Sequence, residues 1–119
     1  MRMQKWHNRS LKDSLTNALR GWRYAFGTQK NFKIHALVSV GVILIAWWRC
    51  LVWERWLILG LAIVLGLVIE MANTAMEKIV DLVTEEYSEK AKLAKDIAAG
   101  MMLLTAAGLA IIGLLTLFG

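Results

Sequence analysis

The sequence predicts an all-α integral membrane protein, with an N-terminal amphipathic surface helix followed by three transmembrane helices. Three observations carry that prediction. Hydrophobic residues make up 58% of the 119, above the roughly 45–50% of ordinary soluble domains. Three apolar windows follow one another: Ile34 to Trp48, Leu51 to Ile69 running on towards Val80, and Ile97 to Phe118. The basic residues are unevenly placed around them, with eight before Ile34, two (Arg49 and Arg55) between the first windows, and four between the last two. One domain over residues 1–119 is expected, with residues 1–30 interfacial and helices at about 32–48, 53–83 and 92–118 containing the spans.

Within the first 30 residues, Leu11, Leu15, Ala18, Leu19, Trp22, Ala25 and Phe26 recur at helical spacing, and Lys12, Arg20 and Arg23 fall off that stripe. Such a helix lies in a membrane interface with its cations near lipid phosphates. No charged, apolar and small-residue segments follow one another there as in a signal peptide. Gly27-Thr28 is the expected break before the first span. That span is short, whereas the second and third exceed the ~20 residues that cross a bilayer. Basic residues mark the cytoplasmic side, so the N-terminus and the loop after Ile79 are placed in the cytoplasm and the Trp48–Arg55 turn outside. The net charge of +5 is then a topological signal, with no basic stripe on a soluble fold to suit nucleic acid. Trp47, Trp48, Trp53 and Trp56 fit the outer headgroup boundary. The single Cys50 has no internal disulfide partner. There is no proline to break a span. In the third span, Ala98-Ala99-Gly100 and Ala106-Ala107-Gly108 permit close helix packing.

The second span does not end as a purely lipid-facing segment would. In IEMANTAMEKIVD, residues 69–81, steps of three, four and four bring Glu70, Asn73, Glu77 and Asp81 within roughly 80° of one helix face, over about 16 Å of its length. An ionised carboxylate deep in lipid costs ~2.5–3.5 kcal/mol. Clustered carboxylates beside an amide oxygen suit a hard cation such as Mg²⁺, which keeps waters and bridges phosphate oxygens. A desolvated carboxylate deeper in the membrane suits a general base. The pattern points to phosphoryl transfer at a membrane surface. Two other readings stay open: polar glue in a non-catalytic helix bundle, and a transporter with an intramembrane carboxylate. No glycine-rich nucleotide loop is present.

IEMANTAMEKIVDLVTEEY together with AKLAKDIAAG resembles the small prokaryotic diacylglycerol kinase family, in its E-x-x-N-[ST]-A-x-E-x-x-V-D core followed by A-K-D. KNFKIH, DLVT and KDIAAG are closer to its Gram-positive undecaprenol kinase branch. The resemblance implies a homotrimer in the bacterial inner membrane with interfacial, cytoplasm-facing active sites. ATP with Mg²⁺ would be the donor, and a lipid alcohol, undecaprenol or diacylglycerol, the acceptor entering from the bilayer. By position it implies Glu70 as the base that takes the lipid hydroxyl's proton, and Glu77 as a metal ligand with Asn73 beside it. Asn17, Glu86, Tyr87, Ser88, Lys95 and Asp96 would contact the nucleotide, and Arg23, Phe32 and Ala99 the lipid. Gln29 stands where the family has a metal-binding glutamate, which removes one anionic ligand. Ser10 stands where the diacylglycerol branch has an arginine.

Overall fold

A computed structural model describes residues 10–119; Arg2, Lys5 and Arg9 of the basic N-terminal stretch, and the start of the expected surface helix, lie outside them. Four helices follow in order: α1 Leu11–Thr28, α2 Lys30–Trp48, α3 Trp53–Val83 and α4 Glu89–Phe118.

Helix α1 starts at Ser10, whose Oγ accepts from the Asp13 amide at 3.2 Å, and Asp13 adds negative charge to the first turn. Most of its apolar stripe is bare, with Leu11 77% exposed and Trp22 57%, while Ala25 is buried near its end. The break falls at Gln29, just after the expected Gly27-Thr28. Gln29 alone is extended, at φ −96° and ψ 108°. Its amide closes α1 on Ala25 O at 3.0 Å and its carbonyl opens α2 through the Lys33 amide at 3.2 Å. Two helices joined by one residue leave Gln29 little freedom. Phe26 and Phe32 brace the joint edge to face, with ring centroids 4.6 Å apart.

Three helices, α2, α3 and α4, are long and apolar enough to cross a membrane. They expose Leu37, Leu61, Leu103 and Leu104, as side chains facing lipid or other helices do. Between α2 and α3 the chain reverses through Cys50 in the left-handed region, φ 51°. The Cys50 amide donates to Trp47 O at 3.0 Å and the Leu51 amide to Ala46 O at 3.4 Å, the pattern of a Schellman cap. At this tryptophan-rich end Ala46, Leu59 and Leu117 form the buried core. There, Arg55 Nη1 donates to the carbonyls of Thr116 (2.9 Å) and Gly119 (2.7 Å). A cation thus satisfies acceptors that the last turn of α4 leaves open. Helix α4 packs most extensively on α3. It begins at Glu89, before the expected 92, because Ser88 is extended and its carbonyl takes the Lys92 amide at 2.9 Å.

Candidate functional site

At the other end, where α3 finishes and α4 starts, the structure gathers the polar residues. Along the acidic face of α3, Asn73 Nδ2 donates to Glu77 Oε1 at 3.5 Å, and Asn73 Oδ1 is buried with no hydrogen-bond partner among the described residues. One turn further on, Asp81 meets α4 through Lys95 Nζ at 2.7 Å. Lys92 pairs with Asp96 along its own helix at 2.6 Å. The two lysines therefore part company: Lys95 bridges to the acidic face and Lys92 does not.

Between the helices lies Thr84–Ser88. The Thr84 hydroxyl donates to Glu86 O and accepts the Glu86 amide, both at 3.2 Å, which curls the loop back at the α4 N-terminus. Glu86 and Tyr87 are exposed and Ser88 is half-buried at the cap. Residues 86–88, Lys95 and Asp96 thus belong to one end of the bundle. A helix start with free amides and a nearby ammonium is a suitable place for phosphate oxygens.

Helix α1 reaches this end through its last turn. The Lys78 ammonium lies 5.2 Å from the centre of the Tyr24 ring. It holds the Tyr24 hydroxyl below the ordinary phenol range, with smaller help from the Thr28 and Gln29 side chains. Gln29 Nε2 also donates to Thr28 Oγ1 at 3.2 Å. Arg23 and Asn17 are exposed on α1. Phe32 is buried against Phe26 in the α1–α2 joint, and Ala99 is exposed on α4.

Glu70 sits apart, deeper in the bundle. It lines a groove of about 750 Å³ between α2, α3 and α4 whose walls are otherwise chiefly apolar. The groove runs from Asn31, Glu70 and Met102 at the polar end to Val42, Leu59 and Leu117 at the tryptophan end. That is the shape a long lipid chain needs, with one carboxyl at its mouth. His35 lines the same groove. Its ring lies against Gly66, so closely that a Cβ there would overlap the imidazole. Sequence reading passed over His35, although an imidazole within an apolar span is itself a signal.

Among the described residues no three His, Cys, Asp or Glu side chains stand close enough to hold a metal together. Glu77 is exposed at the polar end, and Asn73 turns its Nδ2 to that carboxylate and its Oδ1 inward, so a turn of the amide would be needed to set two oxygens side by side. Such a pair fits a hard cation that keeps most of its water and takes further oxygens from phosphate.

Residues 16–117 match the family model described as prokaryotic diacylglycerol kinase. A diacylglycerol kinase of Synechocystis sp. is 44% identical over 101 residues, 84% of this chain, and the chain spans 58% of that relative's length. An undecaprenol kinase of Bacillus subtilis is 38% identical over 108 residues, 91% of this chain and 87% of the relative.

Proposed function

The chain belongs to the prokaryotic diacylglycerol kinase family, and from that premise we propose that it is a membrane lipid kinase which transfers the γ-phosphoryl of ATP to a long-chain lipid alcohol, with undecaprenol the preferred acceptor. The observation that carries this reading is Glu70 at the polar mouth of an apolar groove, below the Asn73–Glu77 pair and the Asp81–Lys95 bridge.

The acceptor's chain lies along the groove, out of water, and its hydroxyl reaches Glu70. The Glu70 carboxylate takes the hydroxyl proton as the oxygen attacks the γ-phosphorus. The bond from that phosphorus to the β,γ-bridging oxygen breaks, and ADP leaves. Glu77, with Asn73, would hold Mg²⁺, which when bound neutralises charge on the phosphate oxygens. Lys95 leaves Asp81 for the transferring phosphoryl, whose charge spreads over its oxygens. Both partners of that pair are about half exposed (47% and 56%), so the exchange costs little, ~0–1 kcal/mol. Glu86, Tyr87, Ser88 and Asp96 take the rest of the nucleotide, with Asn17 on α1. Arg23 and Ala99 face the lipid, as does the α2 segment around Phe32.

The arrangement also supports the whole-protein reading. Helix α1, most of its apolar stripe bare, lies in the cytoplasmic interface of the inner membrane. Among the described residues no three metal-ligating side chains gather in one chain, and a homotrimer would let a neighbouring subunit complete the site.

Undecaprenol is favoured by the KNFKIH segment and by the Bacillus subtilis relative, matched along 87% of its length. Diacylglycerol is the second reading, favoured by the 44% identical Synechocystis relative. Purified protein in micelles, given γ-labelled ATP, Mg²⁺ and each lipid, should label both, undecaprenol with the higher kcat/KM. Label in neither lipid would overturn the kinase reading, and a higher kcat/KM for diacylglycerol would reverse the preference.

A further inference from the structure

Glu70 does not face the groove's mouth alone. His35 on α2 lines the same groove. Its ring fills the level of Gly66, with Leu109 of α4 on the other side, 3.0 Å from where a Cβ at 66 would stand. Gly66 precedes Glu70 by four residues on α3, one turn and about 6 Å along the axis on the same face. Helix side chains lean towards the N-terminus, which from Glu70 is the direction of the turn where the imidazole sits. Among the described residues neither the His35 ring nor the Glu70 carboxyl has a hydrogen-bond partner, since their bonds to Ser39 and Thr74 use backbone carbonyls. An imidazole and a carboxyl, neither hydrogen-bonded among the described residues, thus line one apolar groove about a turn of α3 apart.

We propose that His35 orients the acceptor, its ring N–H donating to the lipid hydroxyl oxygen so that the O–H points at Glu70. The inference rests on the lipid-kinase reading and deepens it. A hydroxyl that only donates to Glu70 is free to swing about that bond. A second, fixed partner leaves one oxygen lone pair for attack and holds it in line. Glycine at 66 has a matching role, since it makes room for the ring at that level. If His35 were only a space-filler over Gly66, an apolar side chain of similar size would serve as well.

His35→Leu, His35→Gln and Gly66→Ala separate these roles. With lipid alcohol as varied substrate, His35→Leu should lower kcat/KM for the acceptor by about tenfold or more, with KM for ATP held. His35→Gln, which keeps an N–H donor, should recover most of the loss. Gly66→Ala, by pushing the ring aside, should reproduce the Leu defect, and the double variant should be no worse than either single one. The chain has two histidines, His7 and His35, so ring ¹⁵N signals provide a readout independent of turnover and of how well a variant folds. The His35 signal of the wild type in nanodiscs should move on adding the lipid alcohol and stay put with the same lipid lacking its hydroxyl. An unmoved signal, or wild-type acceptor kinetics in His35→Leu, overturns the role of His35 while the kinase reading stands. A wild type that phosphorylates no lipid overturns both.

Discussion

In the proposed reaction, Gln29 and Glu77 are the residues on which a metal requirement would turn. Glutamine is nearly the shape of glutamate, and Gln29 is held chiefly by its backbone between two helices, its side chain adding one exposed bond to Thr28. Gln29→Glu should therefore leave the fold intact and add an anionic oxygen. The expected outcome is faster turnover and a Mg²⁺ requirement lowered about tenfold, the equivalent of ~1.4 kcal/mol. Glu77→Gln should move the Mg²⁺ titration the opposite way by a similar factor. A Mg²⁺ titration of the two variants beside the wild type checks both signs, and identical midpoints would remove these positions from the metal. For Lys95→Ala the expected loss is about 10²–10³-fold in kcat, since a charge that meets the transferring phosphoryl is lost. Asp81→Asn frees the same lysine and should change stability by less than about 1 kcal/mol, the pair being exposed. Thermal unfolding in detergent beside turnover assays distinguishes the two.

At the scale of elements, α1 is attached to the bundle by the single-residue joint at Gln29, the Phe26–Phe32 edge contact and the Lys78–Tyr24 pair. Tyr24→Leu removes the last of these and keeps the apolar bulk. Amide exchange in α1 should then quicken while the spans keep their protection, and KM for ATP should rise if α1 helps to hold the nucleotide. Unchanged exchange in α1 would mean that the tie carries no weight. The spans were legible in the sequence because uninterrupted apolar windows of this length have few other uses. The joints were less so. The α2–α3 reversal uses Cys50 in a left-handed conformation with neither glycine nor proline to announce it. The α1–α2 break falls at a glutamine one residue beyond the Gly27-Thr28 pair that sequence reading favours. Glycine there serves no turn, since both Gly27 and Thr28 are helical.

Over the whole molecule, the acidic stripe could be read from spacing alone, because residues on one helix keep their mutual angles whatever the helix packs against. What stood opposite the stripe could not. That Lys95 meets Asp81 while Lys92 turns to Asp96, and that His35 comes to the level of Gly66, depends on how α2 and α4 pack on α3. The groove is likewise a product of three helices and has no counterpart in any one segment. In the proposed reaction a lipid hydroxyl meets the carboxylate of Glu70 there. Glu70→Gln keeps the size and polarity of the side chain and removes the base, so the groove and the nucleotide end should survive. The most direct measurement is single-turnover transfer of label from γ-labelled ATP to undecaprenol in vesicles, wild type beside Glu70→Gln, with ATP binding measured on the same samples. The expected result is a transfer rate lower by about 10²–10⁴-fold with ATP binding retained, and equal rates in the two proteins would contradict the account.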